Sequence, residues 1–292
     1  MKLAMHQITT GGGRDLRKTF HAYAETGWHH FEINLGECAG FIEAHGNAKL
    51  AALVREHDLT CVGATGLPIR AFGGADGRRE NEERLRAYAD TLHALGCRAI
   101  VCGGDVPQGD TFPPHAKSAT ERDLFARDAT YRTFLEQFAD EVGRLADIAD
   151  DYGVALALEV NWCGMARSIR TMAELVTLVD RENVGAVWDP AHFFSTPSRL
   201  ADLDLLDGKI IHAHMNDIRD CVIEVMNINS DRVTPGDGIL PLHELSDVVT
   251  SLGYTGWHCV ELFSDDLWVD SVEDICRKVK TGCERVWPNA EF

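Results

Sequence analysis

No two of the nine cysteines stand in a CxxC arrangement, and an odd number cannot all pair within one chain. A zinc knuckle and a disulfide framework are therefore set aside in favour of reduced, mostly buried thiols. No apolar run approaches the ~20 residues needed to span a bilayer, and the opening MKLAMHQITTGGG lacks an apolar segment of signal-peptide length. A cytoplasmic protein is expected. Basic residues are in short supply, 28 Lys+Arg against 46 Asp+Glu, for a formal net charge of −18. Such a chain forgoes the counterion release that supplies most affinity for nucleic acid, and it repels an anionic membrane surface. The GGG at Gly11–Gly13 lacks the GxGxxG spacing of a dinucleotide turn, which argues against an open doubly wound sheet. Low-complexity tracts are missing too, and with 45% hydrophobic and 25% charged residues the composition is that of a soluble globular protein.

What is present is an alternation of short apolar runs with longer amphipathic stretches from end to end, the signature of repeated βα units. Strands are expected at Leu3–Ile8, His30–Leu35, Thr60–Thr65, Ala99–Gly103, Val154–Val160, Val184–Trp188, Lys209–Met215 and His258–Phe263. Helical patterns fall near Asp15–Glu25, Asn47–His57, Glu80–Leu95, Tyr131–Asp151, Met172–Asp180, Ser198–Leu206, Leu242–Leu252 and Val272–Val286. Gly27, Gly96, Gly153 and Gly253 each close a helix just before a strand. Eight units in 292 residues fit one (β/α)₈ TIM barrel spanning residues 1–292 as a single domain. The long connections, Asp105–Thr130 and Asp217–Pro241, follow strands and belong on the C-terminal rim, where such barrels place their chemistry.

Four late strands end in metal-competent side chains: Glu159, Asp189, His214 and Glu261. Side chains alternate along a strand, so Ala157, Glu159 and Asn161 share a face, as do His212 and His214, and Cys259, Glu261 and Phe263. In a closed barrel those faces converge at the mouth. Three carboxylates gathered there repel one another unless a cation sits between them. The mixed oxygen and nitrogen set suits one divalent ion, Mn²⁺, Co²⁺ or Mg²⁺ ahead of Zn²⁺. His212, one layer deeper, reads as a hydrogen-bonded core residue, and Asp217 as a turn or orienting residue.

The segments Leu-Glu159-Val-Asn, Trp-Asp189-Pro-Ala-His192, His-Ala-His214-Met-Asn-Asp217-Ile-Arg219, Pro-Gly236-Asp-Gly238-Ile and Gly-Tyr-Thr-Gly-Trp-His-Cys-Val-Glu261 resemble the sugar phosphate isomerase/epimerase superfamily of xylose-isomerase-like barrels. The resemblance implies that Glu159, Asp189, His214 and Glu261 hold one catalytic divalent metal. It implies isomerisation or epimerisation of a small keto sugar or polyol-derived ketone through an enediolate, with Glu159 and Glu261 as acid and base, as in the related ketose 3-epimerases. His192 and Arg219 match residues that contact substrate in relatives, and His6 and Trp162 are placed to wall the sugar ring.

Two related activities are less well matched. Endonuclease IV, with three metals, has an Asp-Arg-His segment where this chain reads Asp231-Arg232-Val233, and histidines where this chain reads Thr65-Gly66 and Gly103-Gly104. Inosose and dehydroshikimate dehydratases share the metal frame and make a stronger rival. Some dehydroshikimate dehydratases carry a His where this chain has Asn161, and often a Lys where it has Asn216. The scattered cations Arg70, Lys117, Arg167 and Arg219 announce no phosphate site, so an unphosphorylated substrate is expected. Relatives are often dimers or tetramers, and Trp268 with Phe112–Pro114 are candidate interface residues for a homodimer or homotetramer.

Overall fold

In the computed structural model, which describes residues 1–107, 124–161, 163–222, 225–227 and 230–292, the apolar runs pair as parallel strands. They are β1 (Leu3–His6), β2 (His30–Asn34), β3 (Thr60–Ile69), β4 (Ala99–Gly104), β5 (Ala155–Glu159), β6 (Val184–Trp188) and β7 (Ile210–Met215). Two short strands, β8 (Asp217–Ile218) and β9 (Arg232–Val233), form a separate antiparallel pair, and β10 (His258–Val260) is the last barrel strand. The eight barrel strands close in the order β1-β10-β7-β6-β5-β4-β3-β2. Around them run α1 (Leu16–Thr26), α2 (Leu35–His45), α3 (Asn47–Glu56), α4 (Gly74–Leu95), α5 (Leu124–Asp150) and α6 (Ile169–Val179), followed by α7 (Pro190–Phe194), α8 (Leu242–Ser251), α9 (Asp265–Trp268) and α10 (Val272–Val286).

Local chemistry explains the helix ends. Asp15 caps α1 by accepting from the Arg17 and Lys18 amides, and Ser168 with Thr171 forms a reciprocal capping box on α6. Gly27 and Gly96 close α1 and α4 in the left-handed region, at φ 75° and 71°, where a side chain is disfavoured. The helix over Leu35–His45 is absent from the sequence reading because Gly36 and Gly40 give it weak propensity. Asn34, accepting from the Glu37 amide, starts it, and burial of Leu35 and Cys38 holds it. β1 also ends two residues earlier than expected, since Gln7–Thr10 turns into a 3₁₀ helix whose Ile8 amide donates to His6 Nδ1.

The main core lies between barrel and helices, where Leu3, Met5, Phe31, Ile33, Ile100 and Leu156 are all fully buried. Inside the barrel the apolar cluster is small: Val101, Ala157 and Val187. Much of the remaining interior is polar, with Glu32, His212 and His214 at most 3% exposed. Buried polar groups cost free energy unless paired, and here Glu32 lies between His212 and His214. Above it, Asp217 organises the rim. Its Oδ1 accepts from the Ile218 and Leu240 amides, and its Oδ2 from those of Gly236 and Gly238. A Cβ on Gly238 would sit 2.3 Å from Asp217 Oδ1, so glycine is required there. This knot returns β9, and with it Arg232, to the barrel mouth.

Candidate metal centre

Glu159 ends β5, Asp189 follows β6, His214 lies in β7 and Glu261 follows β10, so the expected convergence at the strand ends is present. His214 Nδ1 is the hub: it lies 3.1 Å from Glu159 Oε1, 3.3 Å from Glu261 Oε2 and 3.6 Å from Asp189 Oδ2. One donor atom from each of the four residues lies within 4.8 Å of all the others. Donors bonded to a single ion at about 2.1 Å have this kind of spacing, and three oxygens with one imidazole suit a divalent cation. The residues present therefore fit such an ion.

Each donor is fixed by a neighbour. Asp189 caps α7 through Oδ1, which accepts from the His192 amide, and its Oδ2 accepts from Asn216 Nδ2 at 3.0 Å. Asn216 is anchored in turn, its Oδ1 accepting from the Ala191 amide. Arg232, fully buried, reaches in from β9: its Nη1 lies 2.7 Å from Glu261 Oε2 and 3.3 Å from Asp189 Oδ2, and its Nη2 lies 3.2 Å from His192 Nε2. Phe263 lies against the guanidinium, 5.1 Å from ring centre to Cζ. Glu159 is freer, its Oε2 3.5 Å from Asn161 Nδ2 and 3.6 Å from His192 Nε2.

The electrostatics follow from this crowding. Burial by itself would raise the Glu261 and Asp189 pKa values, but His214 and Arg232 beside Glu261, and Arg232, His192 and His214 beside Asp189, hold both carboxyls well below the usual range. Burial would lower the His214 pKa, yet Glu261, Glu32, Asp189 and Glu159 together hold it well above the ordinary value. His214 thus keeps a proton that a cation at Nδ1 must displace. Metal affinity is expected to rise with pH through the neutral range, with about one proton released per ion bound while His214 is protonated. Calorimetric titration in buffers of different ionisation enthalpy checks this, and a binding enthalpy independent of the buffer would contradict it.

A cavity of about 380 Å³ opens over the cluster, lined by Glu159, Asn161, His192 and Glu261 together with the apolar Leu67, Val101 and Phe263. Of the residues expected to meet substrate, His192 is therefore at the cavity. His6 is not: it is 1% exposed, packs edge-on against the His214 ring at 5.4 Å, and places Nε2 3.5 Å from Glu261, supporting the cluster from within the barrel. Arg219 is not brought to the cluster either. Asp217 and Ile218 are buried in the hairpin, so the next residue emerges on the rim, where Arg219 Nη2 pairs with Asp266 at 2.6 Å. Trp162, Lys117 and Phe112–Pro114 lie outside the described residues. Trp268 is half-buried and donates through Nε1 to the Ile8 carbonyl. His212 is, as expected, a hydrogen-bonded core residue, 2.9 Å from Glu32.

Three residues of the site went unrecognised in the sequence. Arg232 was visible only as part of an Asp-Arg pair, and Asn216 only as the place of a missing lysine. Glu32 carried a signal: a carboxylate between Phe31 and Ile33 in an otherwise apolar strand.

A family model described as a xylose isomerase-like TIM barrel matches residues 20–280. Among curated proteins, the chain is 26% identical over 291 residues to the inosose isomerase of Bacillus velezensis, covering 98% of this chain and 97% of the relative. It is 27% identical over 208 residues to the inosose dehydratase of Serratia proteamaculans, covering 65% of this chain and 66% of that one. Among solved structures, an IOLI protein with a bound zinc atom superposes with a TM-score of 0.81 at 24% identity, over 98% of both chains. A D-psicose 3-epimerase from Clostridium cellulolyticum H10, solved with D-tagatose, superposes with a TM-score of 0.72 at 17% identity, over 98% of both chains. The closed eight-stranded barrel and the family match agree, and the chain belongs to the xylose isomerase-like TIM barrel family.

Proposed function

We propose that this protein is a divalent-metal-dependent isomerase or epimerase of an unphosphorylated keto sugar or cyclitol ketone. The observation that carries the reading is the convergence of Glu159, Asp189 and Glu261 oxygens on His214 Nδ1 at the floor of an open cavity. The inosose isomerase and dehydratase relatives support a sugar-modifying enzyme and a cyclitol-like substrate. Mn²⁺, Co²⁺, Mg²⁺ and Zn²⁺ all suit the donor set, and the zinc-bearing structural relative adds weight to zinc.

A divalent ion held by the four side chains would polarise a substrate carbonyl and acidify the adjacent C–H. The residues supply the rest. Glu159 and Glu261, approaching from β5 and β10, take the proton from the carbon next to the carbonyl and return one either to the opposite face of that carbon, for epimerisation, or to the former carbonyl carbon, for isomerisation. Asn161 Nδ2, beside Glu159 Oε2, binds substrate hydroxyls, and His192 lines the same cavity with its Nε2 facing Arg232. Leu67, Val101 and Phe263 cover the apolar face of a ring and exclude water. Arg232 keeps Glu261 ionised and aligned.

Elimination of water after the same proton abstraction is the second reading, favoured by the dehydratase relatives. The dehydroshikimate type is the less well matched form of it, because the place where those enzymes often carry a Lys is taken by Asn216, whose side chain is occupied by Asp189 and the Ala191 amide. Incubation in deuterium oxide with a panel of ketoses and inososes separates the readings. Deuterium at the carbon next to the carbonyl in a rearranged product supports isomerisation, and an unsaturated product supports elimination. Substrate binding with neither outcome would leave a catalytically silent sugar-binding barrel.

A further inference from the structure

Glu32 lies in β2, outside the ligand set and outside the cavity, and it is fully buried. Its Oε2 is 2.9 Å from His212 Nε2 and 3.3 Å from His214 Nε2. The β2–β3 register shifts between Phe31 and Glu32, a local irregularity of the kind that re-aims a side chain. On β3, Gly63 leaves the space empty: a Cβ there would lie 2.5 Å from His212 Cε1 and 3.4 Å from Glu32 Cδ. The barrel thus makes room for the His212 ring beside Glu32, a carboxylate that is costly to bury without such partners. His214 Nδ1 faces Glu159, Asp189 and Glu261, so a His214 that ligates through Nδ1 carries its proton on Nε2. That Nε2 has no hydrogen-bond partner, nor does Glu32 Oε1, and Glu32 is the carboxylate beside it.

We propose that Glu32 is the positioning residue of the metal centre. Its carboxylate accepts the Nε2 proton of His214, fixing the tautomer and ring plane that present Nδ1 to the other three donors, while His212 holds Glu32 in place. The inference rests on the reading of Glu159, Asp189, His214 and Glu261 as a divalent-metal site. It differs from a role for Glu32 as a ligand, although His6, Glu32 and His214 also bring donor atoms within 4.8 Å of one another.

The test is Zn²⁺ affinity, measured by competition with a chromophoric chelator, for the unaltered protein and for Glu32→Gln. The expected result is affinity 10–100-fold weaker in the variant, the usual loss for a partner that orients a metal-ligating histidine, with one equivalent bound by both and an unchanged circular dichroism spectrum. Affinity within about twofold of the unaltered protein, which is well below that range, overturns the proposal. Two equivalents in the unaltered protein and one in the variant would make Glu32 a ligand and overturn it as well. If the unaltered protein binds no divalent ion, the metal reading fails first and the two failures are distinguished. Should Glu32→Gln not fold, the zinc-loaded unaltered protein decides by nitrogen-15 NMR of the His214 ring. A hydrogen-bonded Nε2–H is expected, and a proton on Nδ1 overturns the assignment.

Discussion

Glu261→Gln is expected to lower solvent-proton exchange at the carbon next to the substrate carbonyl by about 10²–10⁴-fold, the usual contribution of a positioned acid or base. The amide keeps the shape of the side chain and an oxygen donor but cannot carry the proton. Arg232 still pairs with Asp189, so the rest of the cluster retains its anchor. Glu159→Gln is the companion measurement. With the metal equivalent of each variant checked to be retained, loss of exchange in both variants identifies two proton carriers, as epimerisation through opposite faces requires, and loss in Glu261→Gln alone makes Glu261 the sole carrier. Exchange retained in Glu261→Gln, read by deuterium incorporation, removes Glu261 from the mechanism.

Arg232→Met is expected to destabilise the metal-stripped protein by about 3–5 kcal/mol, the typical cost of removing one partner from a buried ion pair. Methionine fills much of the volume, so the loss comes from charge rather than a cavity. Asp189 Oδ2 and Glu261 Oε2, now 3.3 and 2.7 Å from Arg232 Nη1, would face each other across His214 without a guanidinium between them. A divalent cation restores more stability to this variant than to the unaltered protein, because it supplies the missing positive charge. Urea unfolding with and without metal measures both effects. A loss below about 1 kcal/mol, the range of an exposed pair, would show that Arg232 does not stabilise the cluster.

The convergence of the four side chains was readable in the sequence because a parallel barrel converts strand parity into geometry. A carboxylate or imidazole at the C-terminal end of an inward face reaches the mouth whatever its neighbours do, and Glu159, Asp189, His214 and Glu261 each met that condition. Arg232 did not. It arrives on a hairpin held by four amides bound to Asp217, a long-range arrangement with no local period. The same rim geometry explains Arg219, which the sequence offered as the arginine at the substrate and which the hairpin turns outward to Asp266. Glu32 was legible in principle, as a charge at an inward position of an apolar strand. Its partners, His212 and His214, are 180 and more residues away, so its purpose was not. In α2, two glycines hid a helix that tertiary packing stabilises.

One divalent ion held among four side chains is the centre proposed for this barrel, and metal content per chain tests it most directly. Protein purified without chelator, then stripped and reloaded, is predicted to hold one equivalent of Mn²⁺, Co²⁺, Mg²⁺ or Zn²⁺ by elemental analysis, with binding abolished in His214→Ala. No bound metal under any loading condition, or an unchanged equivalent in His214→Ala, would contradict the four-residue centre.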